Sequence, residues 1–174
     1  SHDGDALSAY ILATNGFART LFDQSGNGNN LENATASNQP TVATSGVLAT
    51  VSGSPILDFD GTNDSLTAFN NTTAPAVFQG LDTAITIYGW IYPHDVTSTG
   101  SIWLSTDLTI VEMRVNAAAP NQRVPFSLGF VNSKLNIGVA SGSALSSTDA
   151  FQSSATVSIN TLLSYAVTID GNTI

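Results

Sequence analysis

Residues 56–64, ILDFDGTND, put four Asp and Asn side chains within seven positions. Read as a strand running into a turn, the segment has a period of two. That places Leu57 and Phe59 on one face and Asp58 and Asp60 on the other, the two carboxylates about 7 Å apart along the chain. With Asn63 and Asp64 in the turn that follows, they make a ligand set suited to Ca²⁺, which takes six to eight oxygens at about 2.3 to 2.6 Å. The spacing is not that of an EF-hand, because the glycine is misplaced and the twelfth position counted from Asp58 is Phe69. The competing expectation is a turn in which Asp60 and Asn63 bond their own backbone, as Asx side chains do.

A second chemistry belongs to rings. Residues 84–92, AITIYGWIY, are apolar on both sides, with Ile85, Ile87 and Ile91 on one and Tyr88, Trp90 and Tyr92 on the other. The segment therefore reads as a central strand. If the aliphatic side faces a core, the aromatic side looks outward, where rings stack on sugar C–H faces while polar tips bond hydroxyls. Trp103, in a neighbouring strand candidate, would extend that platform. The alternative is that these rings pack under loops or fill the core themselves.

Catalytic chemistry is poorly supplied. Glu32 and Glu112 are the only glutamates, and Glu112 reads as a strand residue facing with Ile110 and Arg114, where an ion pair is the natural use. Asp58 and Asp60 would meet glycosidase carboxyl spacings only by chance. His2 and His94 stand in neither a zinc spacing nor a nucleophile elbow, and no cysteine exists to act as thiolate. The loop DQSGNGNN, residues 23–30, has glycines that permit positive φ. It lacks the lysine and strand-to-helix setting of a phosphate loop, and so reads as a tight turn that can at most lend amides to a ligand or cation.

The elements that must position these groups are short strands. Candidates fall at residues 20–23, 55–60, 65–69, 84–92, 101–105, 109–115, 125–131, 135–140 and 162–169, with helix confined to 5–14 and a turn at 74–81. The clearest pair is a hairpin in which Phe126, Leu128 and Phe130 alternate on the side that Leu135, Ile137 and Val139 answer across Asn132 and Ser133. Many short strands with regular turn signals and no strand-helix alternation predict an all-β, two-sheet antiparallel sandwich.

Composition sets the outer bounds. At 174 residues the chain fits one domain, residues 1–174. Thirteen acidic against four basic residues give a net charge of −9, which repels nucleic acid. Apolar residues are 42% and charged ones 10%, enough to bury a core. No apolar run is long enough for a membrane helix, and the first residues lack the pattern of a signal peptide. A start at Ser1 and a stop just after the turn-like 170–172 predict a chain cut at both ends.

Taken together, LFDQSGNGNN (21–30), NQPTVATSG (38–46), SPILDFDGTNDSL (54–66), AITIYGWIYP (84–93) and NTLLSYAVTIDGNTI (160–174) resemble the concanavalin A-like lectin/glucanase superfamily. The resemblance is to the laminin-G-like modules of bacterial surface and phage tail proteins. It implies a jelly-roll-like sandwich, truncated because the family's first and last strands are missing. Leu162 and Ser164 stand where members carry an aromatic and a histidine, so that histidine's role does not carry over. The superfamily's paired catalytic glutamates are also absent.

The expectation is a non-catalytic carbohydrate-recognition or adhesion module, extracellular or on a virion surface. Its ring site would be Tyr88, Trp90, Tyr92 and Trp103, and its Ca²⁺ site Asp58, Asp60, Asn63 and Asp64. Its partner would be a glycan or surface polysaccharide, with no nucleic acid or membrane, and the chain would act as a homo-oligomer or part of a larger assembly. The alternatives are a structural module of a virion, fibre or surface layer, and an arabinofuranosidase-like hydrolase.

Overall fold

The structure, a computed structural model, describes residues 13–68, 85–97, 108–115, 123–139 and 150–169. The helix expected at 5–14 lies almost wholly outside these residues. So do the turn at 74–81 and the strand at 101–105, with Trp103. Among the described residues the chain is strand and turn, with one turn of 3-10 helix at Ala36–Asn38. It divides into two compact units, Ser1–Asn70 and Asn71–Ile174.

The first unit is built from two- to four-residue strands. These are β1 (Gly16–Phe17), β2 (Thr20–Leu21), β3 (Leu31–Glu32), β4 (Thr41–Thr44), β5 (Val47–Leu48), β6 (Thr50–Val51) and β7 (Ser54–Pro55). They pair antiparallel as β1–β4–β5, β2–β3 and β6–β7. Two of the hairpins turn on a Ser-Gly pair with positive φ at both residues, Ser45–Gly46 (51° and 79°) and Ser52–Gly53 (51° and 81°). That conformation matches the right-handed twist of the flanking strands, so a two-residue turn suffices.

The strand expected at 55–60 is not continuous. Regular pairing stops at Pro55, and only an isolated bridge joins Asp58 to Thr41, whose N–H and C=O bond those of Asp58 at 2.8 and 2.9 Å. Two residues on, the Asp60 N–H leaves the ladder for the Asp64 carboxylate. The segment expected at 65–69 is likewise reduced to a bridge between Thr67 and Glu32, and 20–23 to β2.

The second unit carries the longer strands: β8 (Ile85–Ile91), β9 (Leu108–Val115), β10 (Arg123–Val131), β11 (Lys134–Val139), β12 (Ala150–Gln152) and β13 (Leu163–Ile169). One antiparallel sheet runs β12–β11–β10–β9, and a second pairs β13 with β8. The hairpin β10–β11 has the expected register, Phe126 opposite Val139, Leu128 opposite Ile137 and Phe130 opposite Leu135. Its turn places Asn132 and Ser133 at φ 50° and 59°. Leu128 and Phe130 are buried, Leu135 and Ile137 half-buried. The side chains of Phe126 and Val139 lie outside those described.

Leu128 and Val167 form the buried centre, and Ile87, Ile110, Val111, Leu135, Ile137 and Tyr165 pack around it. The two sheets thus share one apolar cluster. A β-bulge alters the alternation expected in β9: Leu128 pairs with Val111 but Gly129 with Thr109, leaving Ile110 as the extra residue. A bulge turns two successive side chains toward one side, so Ile110 and Val111 both reach the cluster. Glu112 is in register with Ser127, and its side chain lies outside those described. Pro125 also sits at a register shift, between Arg123 and Phe126, where its missing N–H costs no ladder bond.

Candidate functional site

The ribbon of β8 and β13 has two unlike faces, and the register explains why. Ile87 and Val167 are opposite one another and turn to the apolar cluster, as does Tyr165 opposite Gly89. A side chain at Gly89 would crowd that ring: a Cβ at this position would stand 2.9 Å from the Tyr165 hydroxyl oxygen and 3.1 Å from its Cζ. The ring lies over the glycine backbone, and burial pushes the Tyr165 phenol above its ordinary pKa.

The other face carries Thr86, Tyr88 and Trp90 from β8 against Thr168, Ala166 and Ser164 from β13, and all six are exposed. Tyr88 is 79% exposed and Trp90 73%. Their cross-strand partners are Ala166 and Ser164, too small to cover a ring, so both rings stand bare, roughly 7 Å apart along one strand. Beside them Thr86 Oγ1 and Thr168 Oγ1 share a hydrogen bond of 3.1 Å. None of the six residues is charged. Sequence reasoning found the rings but missed the hydroxyl and small-residue half of this face, because which residues of β13 lie beside them depends on a register set some 80 positions away.

Tyr92 follows β8 and is half-buried, its ring meeting that of His94 edge-on at a centroid distance of 5.4 Å and 75°. It is thus less open than Tyr88 and Trp90. Trp103 falls outside the described residues. Among the described residues β8 pairs only with β13, whereas the segment was expected to be central.

The carboxylate turn of the first unit is closed by its own backbone. Asp60 Oδ1 accepts from the N–H of Thr62 at 2.7 Å and of Asn63 at 3.2 Å, and Asp64 Oδ2 accepts from the Asp60 N–H at 3.0 Å. The bonds from Thr62 and then Asn63 hold the exposed Asp60 carboxyl below its ordinary pKa. Asp58 is half-buried in its bridge to Thr41. Among the described residues no group of three or more His, Cys, Asp or Glu is placed to hold a metal ion.

The loop at 23–30 is organised in the same way, around Asp23. Its Oδ1 accepts from the Ser25 N–H at 2.7 Å, and its Oδ2 from the Ser25 hydroxyl at 2.8 Å and the Asn29 N–H at 3.0 Å. The Asp23 N–H in turn donates to Asn30 Oδ1 at 2.9 Å. The Ser25 side chain first, then its backbone, lowers the Asp23 pKa. This is a network of local side-chain-to-backbone bonds that closes a loop by itself. Glu32 is exposed in β3 of the first unit, and Glu112 lies in β9 of the second.

No family model matches the chain, and no match was found among curated proteins or solved structures.

Proposed function

We propose that the chain is a non-catalytic carbohydrate-recognition module of the concanavalin A-like, jelly-roll sandwich kind, and that it works outside the cell or on a virion surface. Its ligand contact is the outer face of the β8–β13 ribbon. The observation that carries this reading is the exposure of Tyr88 and Trp90 side by side on a sheet face whose opposite side is buried. A face of two bare rings set among two threonines, a serine and an alanine, with no charge, suits a neutral glycan. Rings desolvate the apolar faces of a sugar while hydroxyls meet hydroxyls, and no charge has to be stripped of water. The net charge of −9 disfavours sialylated and uronic acid glycans.

A shallow face of this kind binds one small sugar weakly, because ordering the ligand consumes most of what two rings contribute. Retention on a surface then depends on several copies acting together. The test is a glycan array probed with the chain displayed multivalently, with chelator and with Ca²⁺. Neutral glycans should be retained and acidic ones not, and retention should vanish in Trp90→Ala. An array on which no glycan is retained, or only acidic ones, refutes the reading.

A second reading is assembly. Among the described residues β8 and β13 pair only with each other, so each presents one strand edge of the kind that recruits a further strand. Under it, sedimentation would show self-association that persists when Trp90 is replaced.

A further inference from the structure

We infer that Asn27 is a modification site: its side-chain amide is lost spontaneously by attack of the following backbone nitrogen, which turns the 23–30 loop into a slow, one-way clock. The chain holds two Asn-Gly pairs, Asn15–Gly16 and Asn27–Gly28, and the fold treats them oppositely. In the reaction the Gly28 backbone nitrogen gives up its proton to solvent and bonds to Asn27 Cγ. The Cγ–Nδ2 bond breaks, and Nδ2 departs as ammonia with a proton taken from water. Water then opens the five-membered imide at either carbonyl, giving aspartate or its β-linked isomer. One water is consumed, one ammonia is released and nothing is oxidised or reduced.

Three features open Asn27 to this chemistry. Gly28 is exposed, with φ +76° and nothing within 4 Å of where a Cβ would stand, so no other part of the fold crowds it. Among the described residues the Gly28 N–H makes no hydrogen bond that would hold it. Asn27 is exposed, and its Nδ2 is tied only to Ser25 Oγ at 3.0 Å, a bond that water replaces at little cost.

Asn15 is restrained on both sides. Its Oδ1 accepts from the Ser45 N–H at 3.0 Å, and Gly16 lies in β1, paired with Ala43. Swinging Asn15 Cγ onto the Gly16 nitrogen would break the first bond and disturb the second pairing.

The product undoes its own loop. A carboxylate at position 27 can no longer donate to Ser25 Oγ, and it faces the Asp23 carboxylate across that hydroxyl. The β-linked isomer also lengthens the backbone by one carbon, which pulls the Asn29 N–H away from Asp23 Oδ2.

The experiment incubates the full chain at neutral and alkaline pH and maps peptides by mass spectrometry with fragmentation that separates the two isomers. Asn27 should convert at least an order of magnitude faster than Asn15, faster again as pH rises, while in urea the two pairs convert at similar rates. Asn27→Gln, which leaves the positive φ of Gly28 untouched and lengthens the side chain so that the five-membered imide cannot close, should suppress the product. Equal native rates for Asn15 and Asn27 overturn the inference. So does a slow Asn15 in urea, because the contrast would then belong to sequence and not to the fold.

Discussion

Replacing Trp90 by Ala separates a ring that binds from a ring that holds the fold together. Trp90 is 73% exposed, so about a quarter of its surface is covered. A Trp side chain can bury roughly 200 Å², so that quarter is about 50 Å² and stabilises by about 1.3 kcal/mol at ~25 cal/mol per Å². Even this is an upper figure, since the unfolded chain already covers part of the ring. For a chain of this length, about 1 kcal/mol moves the melting temperature by about 2–4 °C. Leu128 is 1% exposed at the centre of the cluster, and Leu128→Ala should cost about 2–5 kcal/mol through lost transfer and a residual cavity. The pair of variants therefore gives a scale. Urea and thermal melts of both, run beside binding to the strongest neutral glycan of the array, should show Trp90→Ala nearly as stable as the parent with binding gone. Leu128→Ala should be clearly destabilised and, below its melt, still bind. A Trp90→Ala variant as unstable as Leu128→Ala would make the ring a core residue. One that binds undiminished would move the site off this face.

Three other perturbations test the physical account. Gly89→Ala drives a methyl into the Tyr165 ring and should cost about 1–3 kcal/mol of overpacking, read by urea melts and partly recovered by adding Tyr165→Phe, which removes the nearest atom. Asp23, Asp60 and Asp95 have folded pKa values below the ordinary 3.8, each held down by local hydrogen bonds. They bind protons more weakly when folded, so their stabilisation is complete above 3.8 and is lost as pH falls through the lower folded values. Melts should thus be flat at mildly acidic pH and fall below 3.8, and the fall should shrink in the Asp23→Asn, Asp60→Asn double variant. Because the turn at Asp60 is closed by its own N–H groups, the melting temperature should be the same in chelator and in millimolar Ca²⁺. A Ca²⁺ concentration a hundredfold over Kd would instead add about 2.7 kcal/mol, and seeing that rise would establish a cation at this turn.

What was legible from sequence followed from how local each signal is. The β10–β11 hairpin could be read because its alternation, turn and partner lie within 17 consecutive residues. The unlike faces of β8 were legible for the same reason, since Ile87 and Trp90 declare them by period alone. The hairpins at Ser45–Gly46 and Ser52–Gly53 were not read, although a Ser-Gly pair is a turn signal. Their strands are two to four residues long, too short for a period to show. The bulge at Ile110 was illegible because TIVEMRV alternates plausibly in either phase, and only pairing with β10 decides which residue is extra. The carboxylate turn depends on pairing rather than on period. Asp58 and Asp60 were counted as partners on one strand face, but the ladder ends between them, and Asp60 spends its carboxylate on its own turn.

The small partners of the rings bear most directly on function. A strand pair built only for stability would set Tyr88 and Trp90 opposite branched or aromatic residues, since such cross-strand pairs each contribute roughly 0.2–1 kcal/mol over Ala. Here the partners are Ala166 and Ser164, so the ribbon forgoes that stabilisation and leaves two large apolar surfaces in water. That exposed apolar surface is what the proposed docking of a ligand on this face rests on. A sugar would cover it transiently, without hydrogen bonds to the backbone, and a second chain would cover it at a fixed stoichiometry. Concentration separates the two. Occupancy by a sugar follows ligand concentration at any protein dilution, whereas burial against another copy disappears on dilution and brings Trp90 fluorescence back to that of a ring in water.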